Sequence, residues 1–318
     1  MNWRTERGEM KILIEPPSWL GDAVMSTAAM EILLHHYTDA EVTLLGSYVS
    51  TEALKLHPQV TKSEVLDKGW LALRRKAKAL GHFDLVISFR SSSRSAWFLF
   101  FLDAQKKCQF PRSYSGMHQV EKYFLFLEEC EEISGEPGDL KLYAKPHVYE
   151  RPTLGINPGA SYGSAKRWYP EAFAEVAIEL SDSFDIVIFG GPGEEDIAGD
   201  IEKEIRKAGI AHVENLAGKT TIPELLSRIA GLSWLVTNDS GPMHVAAAYQ
   251  VPTVALFGPT RDKETSQWHN PKGFLLRKEM ACAPCMKRSC PLKHHDCMRL
   301  IKAEEVVATI RREEEGKQ

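Results

Sequence analysis

Short runs of branched apolar residues alternate with stretches of helical spacing along both halves of the chain. In the first half, residues 11–15, 41–46, 64–66, 84–89 and 106–110 have the β-rich character of strands. Between them, residues 20–36, 50–56 and 71–80 place apolar side chains three and four positions apart, which predicts helices. The pattern stops over residues 134–152, where Gly135, Pro137, Gly138, Pro146 and Pro152 defeat any regular period, so a linker is expected there. It then restarts. Residues 153–157, 185–189, 212–215, 234–237 and 253–257 read as strands, and 170–180, 194–207, 222–230 and 243–249 as helices. A last helix is expected over 303–312, ending in a frayed charged tail. Strands that alternate with helices form parallel sheets covered on both faces. The expected fold is therefore α/β: two Rossmann-like, doubly wound lobes, residues 1–150 and 151–318, with a ligand in an interdomain cleft.

Length agrees with two lobes, since 318 residues are many for one core. With 43% hydrophobic and 26% charged residues the composition is that of an ordinary soluble protein, and a net charge of −4 argues against nucleic acid as the main partner. No stretch has the roughly 18 apolar residues of a membrane span. The run from Trp97 to Leu102 is far too short for that and is expected to line a core, and no segment reads as a dedicated amphipathic anchor. Residues 1–10 are polar and lack an apolar signal region, which makes the cytoplasm the default compartment.

Candidate chemistry sits where strands run into helices. The turn Thr237-Asn238-Asp239-Ser240-Gly241-Pro242-Met243-His244 feeds small polar residues into a helix start, where free N–H groups and the positive end of the dipole favour a phosphate. His244 reads either as structural or as a donor to a diphosphate, and Asp239 as a cap or a ligand-side carboxylate. An equivalent turn, Pro17-Ser18-Trp19-Leu20-Gly21-Asp22, follows the first strand. Asp22 there is either a helix N-cap or a general base facing the cleft. The loop from Asn157 through Gly159, Ser161, Lys166 and Arg167 to Trp168 has small residues and positive charge without P-loop spacing. Gly190-Gly191-Pro192-Gly193-Glu194 lacks the dinucleotide fingerprint; Glu194 reads as a first-turn carboxylate or as an acceptor for ribose hydroxyls. Gly258-Pro259-Thr260 is a further turn on the same edge. Arg90 and Arg94, with Lys106, Lys107 and Arg112, form either a solvated basic surface or an anion-binding face.

Six cysteines fit a reducing compartment if reduced or metal-bound. Cys108 and Cys130 are isolated along the chain and read as inert core residues. Cys282, Cys285, Cys290 and Cys297 are separated by two, four and six residues, with His294 and His295 between the last two. That is not a regular zinc-ribbon spacing. Packed, reduced thiols and a structural zinc both remain open.

Taken together, in order, these segments resemble glycosyltransferase family 9, the heptosyltransferases of lipopolysaccharide core assembly. The resemblance runs from Lys11 to about Ile310. Pro17 to Met25, Asn157-Pro158-Gly159-Ala160, Lys166-Arg167-Trp168, Asn238 to His244, Phe257 to Thr260, and the segment from Cys282 to Met298 carry it. It implies two lobes of the GT-B type and an inverting glycosyltransferase. The donor would be ADP-L-glycero-β-D-manno-heptose in the second lobe, and the acceptor a heptose–Kdo–lipid A inner core in the first. The same resemblance implies Asp22 as catalytic base, and donor contacts from Ser161, Lys166, Glu194, Thr220, Asp239, Ser240, Gly241, Met243 and His244. Ser18, Trp19, Arg90 and Arg94 are the candidates for acceptor contacts. ADP-heptose is then a co-substrate, no cofactor or catalytic metal is required, and a lipid acceptor implies transient contact with the cytoplasmic face of the inner membrane. Two rival expectations are a sister transferase with another acceptor and a non-catalytic nucleotide-sugar binding module.

Overall fold

The computed structural model describes residues 10–66 and 69–316. Residues 1–9 of the polar amino-terminal segment lie outside the described residues. The chain forms two compact units, Met1–Tyr143 and Ala144–Gln318.

The first unit runs β1 (Lys11–Glu15), α1 (Leu20–Met25), α2 (Thr27–His36), β2 (Glu41–Gly46), α3 (Tyr48–Leu54), β3 (Val60–Val65), α4 (Trp70–Ala79), β4 (His82–Ser88), α5 (Ser93–Phe101), β5 (Asp103–Gln109) and α6 (Gln119–Glu131). Its strands form one parallel sheet in the order β3-β2-β1-β4-β5. Leu13, Leu45, Phe83, Val86, Phe98 and Leu102 are buried together in its core.

Three expectations change here. The continuous helix over 20–36 is broken at Ser26, because the Ser26 and Thr27 hydroxyls donate back to the Ala23 and Val24 carbonyls at 2.8 and 2.7 Å, a pattern that bends helices. The run from Trp97 to Leu102 lies largely in α5 and is only half a core element: Phe98, Leu99 and Leu102 are buried, whereas Trp97 and Phe100 are exposed. Cys108 and Cys130 are not isolated. β5 and α6 bring them together as a disulfide, and both are half-buried rather than core.

The second unit runs β6 (Thr153–Asn157), α7 (Pro170–Leu180), β7 (Asp185–Ile188), α8 (Glu195–Lys207), β8 (Val213–Asn215), α9 (Ile222–Ala230), β9 (Trp234–Asn238), α10 (Gly241–Ala248), β10 (Thr253–Phe257), α11 (Asp262–Thr265), β11 (Gly273–Arg277), α12 (Asp296–Arg299) and α13 (Ala303–Glu315). The strands form a parallel sheet, β11-β10-β9-β6-β7-β8. Counted from the unit's own first strand this is the 3-2-1-4-5-6 order of dinucleotide-binding sheets. Ile156, Trp168, Phe173, Trp234, Val254 and Met298 belong to its core. The tail of α13 is not frayed up to Glu315: Glu314 accepts a 2.7 Å hydrogen bond from the Trp234 indole, and the helix continues three residues past the expected Arg312.

In both sheets the strand order reverses beside the unit's first strand, between β1 and β4 and between β6 and β9. Ligands of open α/β sheets bind beyond the carboxyl ends of the strands at such points. Glu15 is paired in register with Ser88 at the first reversal, and Asn157 with Thr237 at the second.

Candidate active site

In the first unit, β1 delivers the chain through Pro16 and Pro17 into α1. Trp19 takes the N-cap position with no capping side chain and is 58% exposed. Asp22 is therefore the third residue of the helix, not its N-cap, which removes the capping alternative. The Tyr123 hydroxyl of α6, buried in the core, bonds with Asp22. That carboxylate, after burial itself, pushes the tyrosine well above its ordinary value of 10.0. A hydroxyl donated by a buried ring fixes the carboxylate's direction. Ser18 is half-buried, with its carbonyl accepting from Ser47 Oγ at 2.8 Å.

Glu15 is the residue that sequence reasoning missed. It ends the apolar run of β1 and is 1% exposed. Ser88 Oγ (2.5 Å), Ser95 Oγ (3.0 Å) and the Arg90 guanidinium (3.2 Å) all donate to it. Arg90 is thus no solvated surface cation. Arg94 is half-buried on α5 and bears on the same carboxylate. Lys107, Lys106 and Arg112 are spent locally, on the Leu102 carbonyl, Glu131 and the Ser91 carbonyl.

Burial pushes the Glu15 carboxyl above its ordinary 4.5, against the pull of Ser88, Arg90, Ser95 and Arg94. A raised value means that the folded chain holds the proton more tightly than the unfolded one. The group's contribution to stability is then fullest below pH 4.5 and is lost as the pH rises through the folded value. Glu15→Gln removes this titration. Its melting temperature relative to the native chain should climb as the pH rises above 4.5 and level off once the native carboxyl is fully ionised. A relative melting temperature that falls over that window would mean that pairing with Arg90 outweighs burial.

In the second unit, the ends of β6 and β9 are tied by Asn157, whose Nδ2 donates to Thr237 Oγ1 (3.1 Å) and Ser240 Oγ (3.0 Å). Ser240 is the N-cap of α10, yet its hydroxyl goes to Asn157 and Thr237 and makes no cap bond, so the first turn of the helix is left without a capping side chain. Asp239 is not a cap either. It is 3% exposed, and its Oδ2 meets Lys166 Nζ and Thr260 Oγ1, each at 2.6 Å. Lys166 also lies 4.9 Å over the Tyr162 ring. Lys166, Asp239 and Thr260 come from three separate turns that the strand order gathers at one place.

Glu194 is the N-cap of α8 rather than a first-turn residue. Its carboxylate accepts from Gly191 N at 2.8 Å and lies 3.5 Å from Arg167. A Cβ on Gly159 would lie 2.0 Å from that carboxylate, so a side chain there would have to displace Glu194 from this position. His244 is buried in α10. The Met243 side chain is wholly buried with Ala255 and Phe257, so any contact from Met243 falls to its main chain. Ser161 is exposed on its loop, and Thr220 is half-buried just ahead of α9.

The four clustered thiols do converge. Cys282, Cys285, Cys290 and Cys297 line one small cavity with His294, His295, Ala165 and Pro259. Burial, then the neighbouring Cys285, Cys282 and Cys290, push the Cys297 thiol up to about 11.

With this geometry established, comparison with known proteins is specific. Residues 70–295 match the family glycosyltransferase family 9 (heptosyltransferase). The chain is 42% identical over 311 residues to lipooligosaccharide heptosyltransferase 2 of Campylobacter jejuni serotype O:2, covering 94% of this chain and 96% of that one. It is 29% identical to lipopolysaccharide heptosyltransferase 2 of Escherichia coli K12, over 79% of this chain and 83% of that one. The solved structure of the E. coli ADP-heptose LPS heptosyltransferase II superposes with a TM-score of 0.79 at 25% identity, over 95% of this chain and 98% of that one.

Proposed function

Because the chain belongs to glycosyltransferase family 9, the heptosyltransferases, we propose that it moves L-glycero-D-manno-heptose from ADP-heptose onto the heptose of a lipopolysaccharide inner core, as a heptosyltransferase II. One observation carries this reading. Lys166 and the uncapped start of α10 meet at the strand reversal of the second unit, in a sheet of nucleotide-binding order that lacks the dinucleotide fingerprint. That combination suits the diphosphate of a sugar nucleotide. Glu194 and Thr220 flank it as acceptors for ribose and adenine, and Ser161, Gly241 and the Met243 main chain complete the donor contacts.

In the reaction, the acceptor hydroxyl attacks the anomeric carbon as ADP departs on the opposite side, inverting that centre. Asp22 takes the hydroxyl proton, its direction set by Tyr123. Lys166, His244 and the α10 terminus stabilise the negative charge gathering on the departing diphosphate. No step passes through a cofactor. Ser18 and Trp19 on the same turn as Asp22, with Arg90 and Arg94, are the acceptor side. The Glu15 contact holds Arg90 in place.

A lipid-borne acceptor also gives meaning to a surface of the first unit. Trp70, Leu71, Trp97 and Phe100 are 52%, 76%, 41% and 76% exposed, with Arg74, Arg75 and Lys78 exposed along α4. Trp70 meets Trp97 edge-on at 5.7 Å, and Arg74 lies 5.2 Å over Phe101. Exposed aromatic rings beside basic side chains suit an anionic bilayer interface. Among the described residues no helix is long and apolar enough to cross a membrane. A sugar-nucleotide donor and a lipid-borne acceptor make the cytoplasm, peripheral at the inner membrane, the proposed location.

The test is transfer to defined acceptors. With ADP-heptose, lipid A–Kdo bearing one heptose should gain the mass of a second heptose, and lipid A–Kdo alone should be left unchanged. Transfer only to the heptose-free acceptor, or to neither, would overturn the assignment.

A further inference from the structure

The segment from Lys278 to His295 joins β11 to α12 without forming a helix or strand, and Met286, Lys293 and His295 hold positive φ angles of 55°, 62° and 56°. Long unstructured connections inside a compact unit usually serve a function. This one is also bound to the loop that carries Lys166. Ala165 N donates to the Arg288 carbonyl (3.0 Å), Tyr162 OH to the Met286 carbonyl (2.8 Å), and His295 Nε2 to the Ala165 carbonyl (2.8 Å). Met286 N reaches the Pro259 carbonyl at 2.8 Å, next to Thr260. Whatever orders this segment therefore also orders the Lys166 and Thr260 turns.

We propose that Cys282, Cys285, Cys290 and Cys297 together bind one tetrahedral, thiolate-preferring divalent cation, zinc or ferrous iron, that fastens this segment against the Lys166 loop. Four thiols are a complete tetrahedral set, and they line a single small cavity. The sulfurs stand around it more loosely than in a closed centre, no three of them lying within 4.8 Å of one another. Capture would draw them in by side-chain rotation.

His294 is suited to a supporting role. Its Nδ1 lies 3.0 Å from Asp296 N and 3.2 Å from Asp296 Oδ2, and its Nε2 lies 4.0 Å from Cys282 Sγ; in the tautomer that carries the proton on Nε2, that N–H faces the sulfur. An imidazole N–H directed at a ligating sulfur is a common outer partner. His295 is excluded as a ligand, since both its nitrogens are engaged, with Tyr169 and Ala165. Each thiol gives up its proton on binding, so one cation releases four protons and leaves a centre of charge −2. Lys287, Arg288, Lys293 and Arg299 lie in the same stretch of sequence.

The test uses the full chain, purified without chelators, and elemental analysis. About one equivalent of zinc or of iron per chain is expected, the two arms identifying the metal. Chain purified from cobalt-supplemented medium should show the thiolate charge-transfer and visible bands of tetrahedral Co(II). Cys285→Ser/Cys290→Ser should lose the metal, and its melting midpoint should fall on the order of 10 °C. His294→Gln should keep the stoichiometry but release metal about 10–100-fold more readily to a competing chelator. If the double variant does not fold, metal content and cobalt spectra of the native chain still decide. Neither metal in the native chain and no cobalt bands would overturn the site, as would undiminished metal in the double variant. None of these readouts depends on transferase activity.

Discussion

Asp22→Asn is expected to lower turnover by ~10²–10⁴-fold, the usual worth of a positioned general base. The amide keeps the size of the carboxylate and its contact with Tyr123, but cannot take a proton from the acceptor. ADP-heptose affinity should be nearly unchanged, because the donor contacts are proposed in the second unit. Steady-state rates and calorimetric donor binding on the same preparation check both halves of this statement. Tyr123→Phe gives a graded version, since it removes the hydroxyl that orients Asp22 and leaves the carboxylate. Near-native turnover in Asp22→Asn would reduce the residue to a first-turn carboxylate of α1.

The second large effect is expected at Lys166. Asp239 is 3% exposed, and the Lys166 side chain 12% exposed. Lys166→Met leaves a buried carboxylate with the Thr260 hydroxyl in place of an ion pair, and breaking a buried ion pair from one side costs about 3–5 kcal/mol. A lower melting temperature and loss of transfer should appear together, which by itself cannot separate a structural from a chemical role. Lys166→Met/Asp239→Asn separates them. It removes the stranded charge and should recover most of the stability, while transfer and ADP affinity stay low because the diphosphate has lost its cation. If the double variant regained native transfer, Lys166 would be only the partner of Asp239.

Local pattern suffices for the two α/β units and for the turns that hold Asp22, Lys166 and Asp239. Apolar runs mark buried parallel strands, and small polar residues mark the strand-to-helix turns where such sheets keep their chemistry. What local pattern leaves out is pairing across long separations. Glu15 is indistinguishable from the end of a strand until Ser88, 73 residues away, is laid beside it. Arg90 looks solvated for the same reason. Tyr123 belongs to α6, where Val120, Tyr123, Phe124 and Leu127 stand at helical spacing and mark a core-facing stripe, but nothing in that spacing points back to Asp22. The helix break at Ser26 escaped because a hydroxyl donating to the backbone leaves hydrophobic spacing untouched. Asp239 reads as a cap from its neighbours, and only the fold supplies the cation from Lys166.

The contact between Asp239 and Lys166 bears on how a catalytic cycle would end. When spent ADP departs, the ammonium does not face a dry interior bare, because an internal carboxylate is already in place to neutralise it. Under the proposed donor contact, each incoming nucleotide would compete with that resident anion for the lysine. The same competition would loosen the proposed grip on the product, which suits such a site to letting go as well as to holding on.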